Sequence, residues 1–230
     1  MASLANTSPR RKLAAYALPL PVFLALMAPI SLFQQVGDAF WLQHPEFWVY
    51  PLQTVVCAGL LAYYWSEYEF HGLKRVLFTL AIATLVFVLW ISPQAFFGAA
   101  ARRDGFNPEM LPVGSAAYWA TLAFRFLRLV IVVPLVEEIF WRGFLLRYLI
   151  DEKFTTVPFG KFSWLSFGAV TVAFTLAHSM PDWPAAAITG ILYNVVAYRT
   201  RSLASCILAH AVTNLLLGVW IVYTKQWGFW

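Results

Sequence analysis

Short polar motifs interrupt apolar stretches in the second half of the chain. They bring together two carboxylates, a guanidinium, two imidazoles and an amide: Glu137, Glu138, Arg142, His178, His210 and Asn214. Glu and His can take a proton from water, while a second His and an Asn can donate hydrogen bonds to the oxyanion of a tetrahedral intermediate. A carboxylate with two imidazoles can instead hold zinc, which acidifies a bound water. These residue types indicate hydrolysis, with or without a metal.

The two adjacent glutamates differ in their helical surroundings. Glu138 and Arg142 are four residues apart in the favourable acid-first order, so we expect them to form an ion pair on one helix face. Glu137 points about 100° away and has no local partner. The paired carboxylate is suited to a supporting role and the unpaired one to a general base. The alternative is a charge cluster at a helix end without a catalytic role.

The elements that position these motifs must lie in a membrane. Of 230 residues, 61% are hydrophobic and only 12% are charged, about half the charged share of an average soluble domain. This composition excludes a disordered chain, a nucleic-acid-binding arm and an ordinary soluble enzyme. We therefore expect contact with membrane lipid and none with nucleic acid.

Apolar segments of near-spanning length predict an all-α, polytopic transmembrane bundle of about seven spans, with six to eight possible. They cover residues 13–36, 47–66, 75–92, 116–150, 163–180, 184–199 and 202–223. We expect one integral-membrane domain over residues 1–230. Prolines predict a kink in the first segment, and the over-long fourth segment predicts a bend near Pro134 or an end outside the bilayer.

Basic residues predict the orientation. One side of the seven-span arrangement carries Arg10, Arg11, Lys12, Lys74, Arg75, Arg147, Lys153, Lys161, Arg199 and Arg201, whereas the other carries Arg102, Arg103 and Lys225. The positive-inside rule then places the N-terminus in the cytoplasm. Arg125 and Arg128, inside the fourth segment, are expected to snorkel to the outer interface, with binding of a substrate carboxylate as the alternative.

The motifs also fall at similar predicted depths. Counted at 1.5 Å per residue from the inner flanks, Glu137, His178 and Asn214 lie roughly 20–25 Å deep and His210 lies at about 13 Å. Charged and polar groups at such depth are costly unless they share a polar cavity. The depths therefore predict one site assembled from three helices.

The ordered motifs resemble the CPBP family (CAAX-processing and bacteriocin-processing, also called Abi) of intramembrane proteases. The family patterns are Glu-Glu-x-x-x-Arg, Phe-x-x-x-His and His-x-x-x-Asn or Asp. They occur here as Glu137 to Arg142, Phe174 to His178 and His210 to Asn214. The resemblance covers residues 116–217, and the small size is similar to the bacterial CAAX prenyl protease-related branch. It implies a protein of the bacterial inner membrane.

The resemblance implies an endopeptidase that acts on a membrane-associated or lipidated protein. Glu137 and His178 would activate water, Glu138 and Arg142 would support the site, and His210 and Asn214 would stabilise the oxyanion. If zinc is bound, its ligands would be Glu137, His178 and His210; a metal-free mechanism is the alternative. A proton-coupled transporter and a non-catalytic scaffold or immunity protein are rival functions, and the oligomeric state is left open.

Overall fold

Helices are the only regular elements in the computed structural model, which describes residues 8–33 and 36–230. The principal helices are α1 (Pro9–Ala17), α2 (Pro19–Ala25), α3 (Glu46–Tyr63), α4 (Val76–Phe96), α5 (Ala116–Tyr148), α6 (Trp164–Leu176), α7 (Trp183–Thr200) and α8 (Leu203–Thr224). Shorter helical turns connect them. The predicted all-helical class is confirmed.

Three helices in the described ranges are long and apolar enough to cross a membrane: α4, α5 and α8. The bent pair formed by α1 and Pro19–Phe33 makes a fourth if it counts as one span. Seven spans are not confirmed. With 13 residues, α6 reaches only about 20 Å, less than a ~30 Å hydrocarbon core. The predicted segments 47–66 and 184–199 correspond to α3 and α7. Polar residues, including Gln53 in α3 and Asn194 in α7, lower the mean hydropathy of these helices.

The first predicted segment is broken, as its prolines indicated. The helix axis turns by 41° between Pro9–Ala17 and Pro19–Phe33. Proline has no N–H to donate and its ring crowds the preceding turn, which explains a break at Pro19. Residues 34–35 of the predicted segment lie outside the described residues.

The 33-residue helix α5 continues through Pro134 and contains two π-helical stretches. Arg128–Val132 precedes the α-helical turns Val133–Glu138, and Ile139–Leu145 follows them. Pro134 cannot donate to the carbonyl four residues earlier, and the wider turn before it accommodates this missing bond. The α-helical turns that carry both glutamates therefore lie between two π-helical stretches. Such stretches concentrate at functional sites.

The helices that carry the motifs share one core. Val136 in α5, Phe174 in α6, Val196 in α7 and Ala209 in α8 are all buried and belong to the same apolar cluster. The helix α8 packs along α4 and against α5, while α6 packs along α7. This packing fixes the relative positions of the three motifs.

Arg125 and Arg128 are buried, with exposed fractions of 2% and 8%, so the expectation that they snorkel to the interface is wrong. Aromatic faces replace water around them. The Arg125 guanidinium lies 4.6 Å from the ring centre of Tyr50 and 4.9 Å from that of Trp230. Arg128 Nε donates to Gln53 Oε1 at 2.6 Å. Cation–π contacts and an amide acceptor thus stabilise two charges within a candidate span.

Candidate active site

Glu138 is the centre of a buried polar network. Its Oε1 accepts a hydrogen bond from Arg142 Nη1 at 2.9 Å and another from His210 Nδ1 at 2.9 Å. The side chains of Glu138 and Arg142 are fully buried, and that of His210 is 9% exposed. The predicted pairing of Glu138 with Arg142 is present, and the same oxygen joins α5 to α8.

Arg142 extends this network to two more helices. Its Nε donates to Asn194 Oδ1 at 3.2 Å, and its Nη2 donates to the Gly190 carbonyl at 3.4 Å. Asn194 Nδ2 in turn donates to Thr171 Oγ1 in α6 at 3.2 Å. Asn194 lies outside the three motifs, and its only sequence signal was an amide in an apolar segment. The guanidinium therefore has partners on both α5 and α7.

His178 lies in the turn after α6, because that helix ends at Leu176. Its Nδ1 is 2.8 Å from the Phe174 carbonyl oxygen. Its own carbonyl accepts a hydrogen bond from Trp183 Nε1 at 3.0 Å, at the start of α7. Both the ring and the backbone of His178 are thus held by neighbours.

Phe174 connects the imidazole of His178 with the buried charge network. Its ring centre lies 4.7 Å from that of His178 and 4.9 Å from the Arg142 guanidinium carbon. Trp141 packs edge-on against the same ring at 5.8 Å. The aromatic residue of the Phe-x-x-x-His motif therefore positions the histidine through its carbonyl and contacts the arginine through its ring.

The hydrogen-bond partners determine which nitrogen of each histidine carries a proton. A carbonyl oxygen only accepts, so His178 Nδ1 is the donor, and the neutral ring keeps its lone pair on Nε2. Glu138 accepts from Arg142 and is best described as ionised, so His210 Nδ1 is also the donor. In each histidine Nε2 is the nitrogen left for chemistry, as a base when neutral or as a donor when protonated.

Glu137 is set apart from these contacts. It is partly buried, and its Oε2 is buried without a hydrogen-bond partner in the described part of the chain. Buried carboxylate oxygens normally have partners, and exceptions often mark functional positions. Glu138 Oε2 is also buried without a partner, so the two glutamates differ in their other oxygen, which is bound only in Glu138.

Asn214 binds the backbone of α5 beside Pro134. The N–H of Val133 donates to the carbonyl of Arg128, five residues earlier. The Leu129 carbonyl then has no regular helical donor, because the N–H of Val133 already donates to Arg128 and Pro134 has no N–H. Asn214 Nδ2 supplies that donor at 2.9 Å. One N–H and the amide oxygen of Asn214 stay available for other partners.

The described residues do not form a metal centre. No group of three or more His, Cys, Asp or Glu side chains in residues 8–33 and 36–230 is arranged to hold a metal ion. The donor chemistry of Glu137, His178 and His210 suits zinc, since each imidazole has a free Nε2 and a partner on Nδ1. Their arrangement does not gather them around one point, so we assign no metal-dependent step.

These elements define a class: an integral membrane protein whose helices enclose a buried network of charged and amide side chains. Residues 119–216 match the family model described as type II CAAX prenyl endopeptidase Rce1-like. The match covers somewhat less than half of the chain and includes all three motifs. It confirms the resemblance to the CPBP family, a family of proteases. Searches of curated proteins and of solved structures gave no match.

Proposed function

We propose that this protein is an intramembrane endopeptidase, which hydrolyses a peptide bond in a membrane-associated or lipidated protein. The observation that carries the proposal is the pair of neighbouring glutamates. Arg142 and His210 both bind one oxygen of Glu138, whereas the Glu137 carboxylate makes no hydrogen bond or ion pair with the described residues. Both lie within the region that matches a protease family.

In the proposed reaction, Glu137 and His178 remove a proton from water. The water oxygen attacks the carbonyl carbon and forms a tetrahedral intermediate. The intermediate then collapses, the C–N bond breaks, and the proton passes to the leaving amine. The products are a carboxylate and a protonated amine, because the second proton of the water passes from the new carboxyl group to the amine. His178 is suited to this role because the Phe174 carbonyl fixes the proton on Nδ1 and leaves Nε2 as the base.

His210 and Asn214 stabilise the oxyanion in this proposal. In this proposal His210 donates from Nε2 as an imidazolium, while its Nδ1 proton bonds Glu138 Oε1 at 2.9 Å. Asn214 has one N–H left after it binds Leu129. Glu138 and Arg142 act as positioning residues, since they hold His210 against α5.

Metal analysis distinguishes the two mechanisms that the sequence left open. We expect purified protein to contain no stoichiometric zinc and to keep its peptidase activity in the presence of a chelator. Zinc at about one ion per chain, lost together with activity, would establish the ligand set Glu137, His178 and His210 instead. Elemental analysis before and after dialysis against chelator makes the measurement.

The cellular setting is part of the proposal. With α4, α5 and α8 as the spans, the same ten basic residues lie on the side of the N-terminus and three on the other, which supports a cytoplasmic N-terminus. The resemblance to a bacterial branch of the family supports the bacterial inner membrane. Membrane lipid and a membrane-associated peptide or protein are the expected partners.

The direct test is Glu137→Gln, which keeps the shape of the side chain and removes its basicity. In proteoliposomes with quenched-fluorescence peptides, including prenylated CAAX-type peptides, we expect cleavage to fall at least 100-fold, the usual scale for loss of a general base. Glu152→Gln is the matched control, because Glu152 is exposed; it should cleave normally.

Full activity of the Glu137→Gln variant would remove Glu137 from the mechanism. Solute or proton flux in the same liposomes without peptidase activity would favour the transporter. If neither activity is found and Glu137→Gln cells show no change in their membrane proteome, the scaffold is the better explanation.

A further inference from the structure

A basic cavity lies where two membrane-spanning helices begin. It has a volume of about 460 Å³ and is lined by Lys74, Arg75, Tyr198, Arg199, Thr200 and Arg201. Lys74 and Arg75 directly precede α4, while Arg199 to Arg201 lie between the end of α7 and the start of α8. Four of the six lining residues are cations from two distant parts of the sequence.

These cations have no acidic partners in the described part of the chain. None of the seven ion pairs found there includes Lys74, Arg75, Arg199 or Arg201. The hydrogen bonds that join Lys74 to Ser205 use its backbone N–H and carbonyl. Four like charges around one cavity repel each other, and a bound anion would relieve that repulsion.

Neutral donors at the cavity also lack partners. The first turn of α4 has no side-chain cap and no acidic residue, so its free N–H groups and helix dipole favour an anion. The cavity therefore combines cationic and neutral donors, which together suit a phosphate.

The position of the cavity indicates where such a phosphate comes from. The apolar helices α4 and α8 both start at its rim, which places the rim at a membrane boundary. Trp164 and Phe162 are exposed by 79% and 47%, and the Phe162 ring lies 5.2 Å from that of Tyr198. Exposed aromatic residues are typical of the headgroup region. Phospholipid phosphates lie at this depth.

We propose that this cavity binds the phosphate of an anionic phospholipid headgroup, with the acyl chains along the apolar surface of the bundle. Basic pockets between membrane helices are suited to such headgroups. The cavity is separate from Glu138 and its partners, so the inference does not depend on proteolysis.

The experiment measures lipid binding to purified full-length protein in detergent by native mass spectrometry and by thermal shift. The probes are phosphatidylglycerol, phosphatidylcholine and inorganic phosphate. The test variant is R199Q/R201Q, and the matched control is K153Q/K161Q, which removes two exposed cations that do not line the cavity. Peptidase activity is recorded separately.

We expect wild type and K153Q/K161Q to bind phosphatidylglycerol more tightly than phosphatidylcholine. R199Q/R201Q should raise the dissociation constant for phosphatidylglycerol about 30-fold, or about 2 kcal/mol for two cations near a headgroup. Equal binding by all three proteins, or equal binding of both lipids, would overturn the proposal. Tight binding of inorganic phosphate that R199Q/R201Q abolishes, without a preference for the anionic lipid, would assign the cavity to a soluble anion and overturn the lipid assignment. An unchanged melting temperature without ligand verifies that the variant is folded.

Discussion

Glu138 holds Arg142 and His210 through a single carboxylate oxygen. The spacing of Glu138 and Arg142 was enough to predict their pairing, because residues four apart share a helix face. The contact with His210 was not predictable, since it depends on how α8 rotates about its axis when it packs on α5. The partners of Asn194 were not predictable for the same reason: a single amide in an apolar helix does not reveal which neighbour it faces.

Glu138→Gln should be strongly destabilising, because it leaves Arg142 as a buried cation without a counter-charge. Loss of one partner of a buried pair costs about 3–5 kcal/mol. We expect a lower melting temperature in detergent, measured by intrinsic tryptophan fluorescence. Glu138→Gln combined with Arg142→Met should be less destabilised than the single variant. A single variant as stable as wild type would show that the pair contributes little.

The helix α5 shows how an element can be predicted in outline and missed in detail. Its location and its unusual length followed from the apolar run around Pro134. The π stretches did not, because they depend on which backbone carbonyls find donors elsewhere. Asn214 is one such donor: it binds the Leu129 carbonyl, for which the helix itself has no donor. Asn214 in α8 therefore stabilises the part of α5 that precedes Glu137.

Asn214→Ala should lower stability by about 1–3 kcal/mol, because the Leu129 carbonyl loses its donor. Adding Pro134→Ala restores an N–H that can serve this carbonyl, so the double variant should recover part of the loss. Thermal unfolding in detergent measures the stability, and peptidase assays measure function. If Asn214→Ala loses activity at unchanged stability and Pro134→Ala brings no recovery, Asn214 acts only on the substrate.

At the scale of the whole molecule, composition indicated a membrane protein, and the motif order indicated the protease family that residues 119–216 match. The number of spans was not recoverable from apolar runs, since a helix can be apolar and still be too short to span: α6 has only 13 residues, although its Leu165, Val172 and Leu176 are exposed. The contacts of the C-terminal segment were also not predictable from the sequence. The N–H of Gly228 donates to the Arg102 carbonyl at 2.9 Å, and Arg102 pairs with Asp182. One end of the bundle is thus closed by three distant segments.

Gly105→Ala tests this closure. An added Cβ at Gly105 would lie 2.3 Å from the carbonyl oxygen of Trp227. The nearest atoms are all backbone atoms of Trp227 and Gly228, which cannot move aside as a flexible side chain could. We expect a loss of about 1–3 kcal/mol, as is usual for overpacking, read out as a lower melting temperature and faster proteolysis of the C-terminal segment. Gly59→Ala is the control, because no atom lies within 4 Å of its added Cβ. Equal stability of both variants would contradict a tight contact.

The hydrogen bonds of Glu138 have a further consequence when the charges around them are counted. In the proposed mechanism His178 is neutral and His210 is an imidazolium, so the charges of Glu137, Glu138, Arg142 and His210 sum to zero. Transfer of a proton from water to Glu137 or His178 therefore only redistributes charge inside a cluster that already holds its own counter-ion. No ion has to enter from solution through a medium of low dielectric constant, where a charge costs several kcal/mol. Acid–base chemistry is therefore possible inside an apolar helix bundle when the charged cluster contains its own counter-ion.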